Sequence, residues 1–253
     1  MNANQQMTNK RENALCTIVG AGEGLGKSLA RKFAKQGFSV ALISRSESTA
    51  APIIESLHQS FPTVTARYFA ADVTQPAELE AVIGDLHREM GDTSVLLYNA
   101  RGEFVAYDPL ELPYVVLDNL FRIEVVGALA AAKAVLPAMI QKGSGCVFYS
   151  SATAAFRGSS QYPHYSIAKF GLRALSQSLS RAYSKQGVHI AHMRLDCDLD
   201  VPLMQSIYAD SDHAPVMVNP DDIAESYWLT YLQPKTAWSN EVELRPSTET
   251  WTC

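Results

Sequence analysis

Tyr165 and Lys169 stand four residues apart in YSIAK, at the head of the apolar, alanine-rich run FGLRALSQSLSRAYSK. On a helix this spacing sets a phenol and an ammonium one turn apart on a common face. A free tyrosine releases its proton near pH ~10, and a neighbouring cation favours the phenolate, so such a pair can serve as acid or base at neutral pH. The spacing alone is common on solvated helices. Its meaning depends on the elements that hold it against a substrate.

The first such elements lie near the N-terminus. Residues 14–20 (ALCTIVG) form a short β-rich run, AGEGLG follows, and KSLARKFAKQG places Leu29, Ala30, Phe33 and Ala34 at helical spacing. Gly20, Gly24 and Gly26 make a GxxxGxG pattern, which Gly22 also fits as GxGxG. Between a strand and a helix, such glycines let backbone amides approach a pyrophosphate at the positive helix N-terminus. A tight turn without a ligand is the plainer reading of the same residues.

Residues 38–43 (FSVALI) give a second strand and complete a βαβ unit of dinucleotide-binding length. At its end, where NAD binders place an acid for the ribose hydroxyls, stand Ser44 and Arg45, and a guanidinium suits the 2′-phosphate of NADP. Glu23 in the glycine turn would repel that phosphate, and Arg45 read alone is a solvated loop charge. A helix over 48–60 and a strand over 65–70 follow, the strand running into ADVT. Asp72 there can accept from an adenine amino group or cap the next helix. An amphipathic helix over 76–90 and the strand SVLLYNAR continue the alternation. Repeated strand and helix units predict a parallel sheet covered on both faces, with ligands beyond the strands' carboxyl ends.

A chain of 253 residues with 47% apolar content suffices for one large α/β domain. A net charge of −5 without long basic runs argues against a nucleic-acid partner. Cys16, Cys146, Cys197 and Cys253 are scattered and read as reduced thiols. Residues 1–13 are polar and read as a flexible tail, and no apolar run of membrane-spanning length is expected. Together these features predict a cytoplasmic, soluble protein with no membrane partner.

Taken in order, the glycine turn 20–26, Arg45, Asp72 with Val73, Asn99 with Ala100, and YxxxK at 165–169 resemble the short-chain dehydrogenase/reductase family. The likeness runs from about residue 14 to 253. It implies an α/β fold with a doubly wound, Rossmann-type parallel sheet in a single domain. It implies cofactor binding by Gly20, Gly24, Leu25, Gly26, Ser44, Arg45, Asp72, Val73, Asn99, Ala100, Tyr165 and Lys169, with NADP(H) preferred and NAD(H) as the alternative. In the family the tyrosine exchanges a proton with the substrate oxygen while the nicotinamide exchanges hydride with its carbon. Lysine binds the nicotinamide ribose and favours the phenolate. A serine about thirteen residues before the tyrosine orients the carbonyl; Ser151, fourteen before Tyr165, takes that role here, with Ser150 and Thr153 as runners-up.

The chain also departs from the family. Glu124 stands where the family carries an asparagine linking lysine to a relay water, and is expected either to act as relay acceptor or to pair with Lys169. Arg101 replaces a glycine beside the nicotinamide site, to bind an acidic substrate or to point to solvent. Asp196, Cys197 and Val201 replace a proline, a glycine and the threonine that holds the carboxamide. His164 reads as structural. An irregular substrate lid is expected over about 199–220, and Phe104, Tyr107, Phe156, Tyr162, Met204 and Tyr208 are candidates for an apolar cleft. Tyr227, Trp228 and Trp238 are expected to anchor a homodimer or homotetramer. The expected activity is NADP(H)-dependent interconversion of a ketone or aldehyde with an alcohol. The alternatives are a catalytically weak NAD(P)-binding protein with a sensing or scaffold role, and a redox-neutral reaction such as epimerisation.

Overall fold

The computed structural model describes residues 14–209 and 216–248; the N-terminal tail and part of the expected lid lie outside them. Seven strands, β1 Leu15–Val19, β2 Ser39–Ser44, β3 Ala66–Ala70, β4 Thr93–Tyr98, β5 Gly145–Ala152, β6 Val188–Leu195 and β7 Glu241–Leu244, make one sheet. All pairings are parallel, in the order β3-β2-β1-β4-β5-β6-β7. Parallel neighbours require crossovers, and helices supply them: α1 Leu25–Lys35, α2 Glu47–Ser60, α3 Pro76–Met90, α4 Tyr114–Phe121, α5 Gly127–Lys142, α6 Pro163–Tyr183, α7 Pro202–Ile207 and α8 Pro220–Tyr231. Strand order reverses between β1 and β4, the place where open α/β sheets leave a crevice for a ligand.

The central strands are apolar on both sides because both faces are covered, which is why they read as near-continuous apolar runs. Alternate residues enter two cores. Ile18, Leu42, Leu97 and Phe148 pack under α1, α2 and α8, where Phe33 meets Phe38 and Trp228 edge-on at 5.4 and 5.6 Å. Val19, Leu96, Tyr98, Val147, Tyr149 and Ile190 face α3, α5 and α6. The expected subunit anchors Tyr227 and Trp228 belong to the first core, at 0% and 5% exposure, and this corrects their assignment to a contact surface. Their aromatic area is consumed in docking α8 onto the sheet.

The helical run Tyr114–Lys142 is divided. Arg122–Val126 forms a π-helical segment between α4 and α5, the kind of bulge that turns one residue out of α-helical register. The run Tyr114–Lys142 is long enough, at mean hydropathy 1.8, to cross a membrane, contrary to the sequence expectation; half of that apolar window is buried, so its composition serves core packing. Gly127 explains how closely it packs: a Cβ there would lie 2.5 Å from Tyr98 Oη and 2.6 Å from the Val73 carbonyl. Within the expected irregular lid, α7 is a short helix started by Pro202, and Leu199 pairs with Val218 at its base.

Candidate active site

Helix α6 begins with Pro163 in its first turn, where a missing N–H costs nothing. Its buried residues Tyr165, Ala168, Lys169, Leu172 and Ser176 recur at helical spacing and form the face turned to the sheet. Lys169 Nζ lies 5.4 Å from the centroid of the Tyr165 ring. The ammonium donates to the Ser150 carbonyl at 3.3 Å and to Glu124 Oε2 at 2.8 Å. Lysine and glutamate are 3% and 0% exposed, so this is a fully buried ion pair, the second of the two roles expected for Glu124. Burial drives the Lys169 ammonium down and Arg101 adds to it, but the Glu124 charge, the nearby Tyr165 and the hydrogen bond that Lys169 donates to Glu124 outweigh them, and the net displacement is upward. The π segment presents Glu124 to this spot; its Oε1 has no partner among the described residues.

Strand alternation decides among the hydroxyls. Ser150 shares the parity of Phe148 and faces α8, where Tyr227 donates to its Oγ at 2.9 Å. Ser151 shares the parity of Tyr149, on the α6 side, and its Oγ is buried without a partner among the described residues. Thr153 gives its hydroxyl to Asp196, which Arg245 also pairs. The runners-up are thus engaged elsewhere, and of the three candidates Ser151 alone has a hydroxyl without a partner among the described residues. Asp196 at the end of β6 ties the turn after β5 to the segment after β7, a structural role the sequence did not suggest.

Of the cleft candidates, Phe104 and Tyr162 reach Tyr165. Phe104 stacks on Tyr162 at 4.1 Å and meets the Tyr165 ring edge-on at 5.2 Å. Tyr107 packs edge-on against His164, which burial holds neutral, in keeping with a structural histidine. Phe156 instead lies under the guanidinium groups of Arg194 and Arg173, at 4.6 and 5.9 Å. Met204 is buried and Tyr208 donates to Asp198 at 2.9 Å. Arg101 is exposed, yet close enough to act on Lys169.

At the other end of the crevice, Gly20 adopts φ +87°, and a Cβ there would lie 2.3 Å from the Ala100 nitrogen. Only glycine fits both conditions. Asn99 closes the turn, its Nδ2 donating to the Gly20 carbonyl at 3.0 Å. Leu25 buries its side chain as α1 begins, while Gly24 and Gly26 leave the approach bare; no side chain caps these first amides and no acid lies in the first turn. An uncapped helix start beyond β1, at the switch point, fits a pyrophosphate. The Val201 side chain sits 3.1 Å from where a Gly24 Cβ would be. Ser44 Oγ donates to the Ser46 carbonyl, and Arg45 is exposed without an ion pair among the described residues. Glu23 is turned to Lys27 at 3.5 Å. Asp72 Oδ1 accepts from both the amide and hydroxyl of Thr74 at 2.9 Å, and the neighbouring Val73 carbonyl packs against Gly127.

The profile of the short chain dehydrogenase family matches residues 14–203. The chain belongs to that family. As an NAD(P)-dependent oxidoreductase of this kind, the short-chain dehydrogenase has relatives over nearly its whole length. An uncharacterized oxidoreductase of Staphylococcus saprophyticus is 26% identical over 236 residues, covering 93% of this chain and 98% of its own. A short-chain dehydrogenase of Rhodopseudomonas palustris has 27% identity and a TM-score of 0.79, covering 92% of this chain and 99% of that one. The L-sorbose reductase of Gluconobacter frateurii, solved with NADPH and L-sorbose, shares the fold at TM-score 0.82 and 20% identity, over 91% and 94% of the chains.

Proposed function

We propose that this short-chain dehydrogenase interconverts a ketone or aldehyde with an alcohol using NADP(H), with Tyr165 as general acid in reduction and base in oxidation. The observation that carries the reading is that the buried Lys169 ammonium lies by the Tyr165 ring while Ser151, whose hydroxyl has no partner among the described residues, is on the same side of the sheet. NADPH, when bound, supplies the hydride that the carbonyl carbon receives. Ser151, with no competing partner among the described residues, donates to the carbonyl oxygen and orients it. Tyr165 gives its proton to that oxygen, and Lys169 stabilises the phenolate left behind.

The glycine turn and the first amides of α1 would hold the pyrophosphate, and Arg45 with Ser44 the 2′-phosphate. Glu23, paired with Lys27, is partly neutralised as an opponent of that phosphate. Thr74 occupies Asp72 Oδ1, which leaves Oδ2 for an adenine amino group. Val73, Asn99 and Ala100 line the rest of the crevice. The NADPH held by L-sorbose reductase supports the same cofactor here. The stacked Phe104 and Tyr162 beside Tyr165 favour an apolar, ring-bearing carbonyl compound. Exposed Leu229 on α8 and Leu232 just past its end support assembly into a homodimer or homotetramer, which sedimentation would test.

The test is NADPH oxidation across ketones, aldehydes and quinones beside a fluorescence titration of NADPH. Tyr165→Phe should lower turnover by roughly 10²–10⁴ and leave NADPH affinity nearly intact; a variant that keeps its turnover sinks the mechanism. Two observations favour a second reading, a nucleotide-binding protein with little turnover: Lys169 is held by Glu124, and apolar Val201 stands at the glycine turn. Tight NADPH binding with no turnover on the whole panel would select it.

A further inference from the structure

Tyr98, Tyr149, His192 and Glu241 are successive register partners across β4, β5, β6 and β7. The parity of Leu96, Val147 and Ile190 places this row on the face beneath α5 and α6, the face of Lys169. At a strand spacing of about 4.8 Å the row spans roughly 14 Å. Tyr98, Tyr149 and His192 are fully buried, whereas Glu241 is exposed. One end lies beside the Lys169–Glu124 pair: Tyr98 Oη donates at 2.5 Å to the carbonyl of Ile123, next to Glu124 in sequence, and its ring centroid lies 6.2 Å from that of Tyr149. The other end reaches water at Glu241, which Arg173 and Gln177 of α6 hold at 2.6 Å each.

Buried polar atoms are nearly always paired. In this layer Glu124 Oε1, Tyr149 Oη, both ring nitrogens of His192 and Oγ of Ser176, two helical turns beyond Lys169, have no protein partner among the described residues. Such a concentration of donors and acceptors is the environment in which buried water binds. Charge sets the state of each group. Around His192 stand Tyr149 from β5, Arg194 on its own strand, Glu241 from β7, and Lys169 and Arg173 from α6. Burial foremost, with the three cations and against Glu241, pushes the imidazole down to about 4. At neutral pH it therefore has one donor and one acceptor nitrogen. Burial pushes the Tyr149 phenol up, so it keeps its hydroxyl. Both groups can receive a hydrogen bond on one side and give one on the other.

We propose that Tyr149 and His192, with bound water, form an internal proton path joining the Lys169–Glu124 pair to the surface carboxylate of Glu241. The proposal rests on the oxidoreductase reading. Each reduction removes the Tyr165 proton with the alcohol, and one proton must return from solvent. A proton taken up at Glu241 passes by hops in which His192 and Tyr149 each accept one and release one, until the Lys169 ammonium reprotonates the Tyr165 phenolate and is itself refilled. No electron moves, and every relay group ends in its starting protonation state. This route departs through the sheet, away from the crevice.

The test starts on the cofactor-free protein labelled with ¹⁵N-histidine. The His192 N–H should take up magnetisation from water despite its burial. Glu241→Gln, a surface change that leaves the core intact, and Tyr149→Phe should each slow that transfer by about tenfold, the loss of one hydrogen-bonded link. An N–H that is protected from water, or transfer indifferent to both variants, overturns the path. In NADPH-driven turnover on the carbonyl panel, His192→Phe should lower kcat and raise the solvent deuterium isotope effect while the KM for NADPH stays constant. Unchanged kcat and isotope effect overturn the proposal also. Water transfer without turnover on any carbonyl sinks the oxidoreductase reading and supports the path; turnover with a protected His192 sinks the path alone.

Discussion

Lys169 and Glu124 show how one substitution redirects an otherwise recognisable site. With asparagine at 124 the lysine would face a neutral neighbour; here its charge is matched inside the protein before any cofactor arrives. Removing one member of a buried pair leaves the other uncompensated, so Glu124→Gln should destabilise the fold by about 3–5 kcal/mol in urea unfolding at pH 7. The Lys169 value is raised on folding. Its contribution is therefore complete below the unfolded value near ~10.4 and lost as pH climbs through the folded one, so wild-type stability should decline in that alkaline window and Glu124→Gln should not show this decline. His192 behaves in the opposite sense. Its folded value of about 4 lies below the unfolded ~6.5, so stability is present above pH 6.5 and lost as pH falls toward 4. The loss should be about 3 kcal/mol, and His192→Phe should flatten it in acid titrations of the unfolding free energy.

At the scale of elements, each functional side chain is aimed by a local device. Alternation along β5 sends Ser150 to Tyr227 and Ser151 to the Tyr165 side. The π segment brings Glu124 inward, and Gly127 right after it lets α5 close on Tyr98 and the Val73 carbonyl. Gly127→Ala should cost about 1–3 kcal/mol, since a Cβ 2.6 Å from a backbone oxygen forces the helix away. Because α5 continues directly from the π segment that carries Glu124, the variant should lower kcat as well as the unfolding midpoint. Asp196 works likewise: by holding Thr153 and Arg245 it fastens the turn after β5 to the sheet edge.

Over the whole molecule, the strand order puts the glycine turn after β1, Arg45 after β2, Asp72 after β3, Asn99 after β4 and Ser151 in β5 along one edge of the sheet. Parallel strands all end on the same side, so sites remote in sequence become one crevice. In the proposed function that crevice runs from a 2′-phosphate at Arg45 to a carbonyl at Tyr165. Arg45→Ala should weaken NADPH by roughly 10–100-fold, the worth of a charge-assisted contact, and leave NADH unaffected in parallel titrations.

The elements and their order were legible in the sequence, because a covered parallel sheet demands apolar strands and amphipathic helices in alternation. The helix Pro76–Met90 coincides with the run that pattern marks, and the strand Ser39–Ser44 lies one residue from its own. The position of the candidate site was legible for the same reason, since glycines and YxxxK mark places on the chain. What charge the site carries depends on atoms brought together across the sheet. That Glu124 pairs with Lys169, that Tyr227 takes Ser150 and belongs to the core, and that Tyr98, Tyr149, His192 and Glu241 stand in one row are facts of register and packing. Periodicity tells which residues turn inward along one element. Only the tertiary structure decides which of them meet, because that choice is made by neighbours such as Glu124 and Lys169 or Ser150 and Tyr227, 45 and 77 residues apart along the chain.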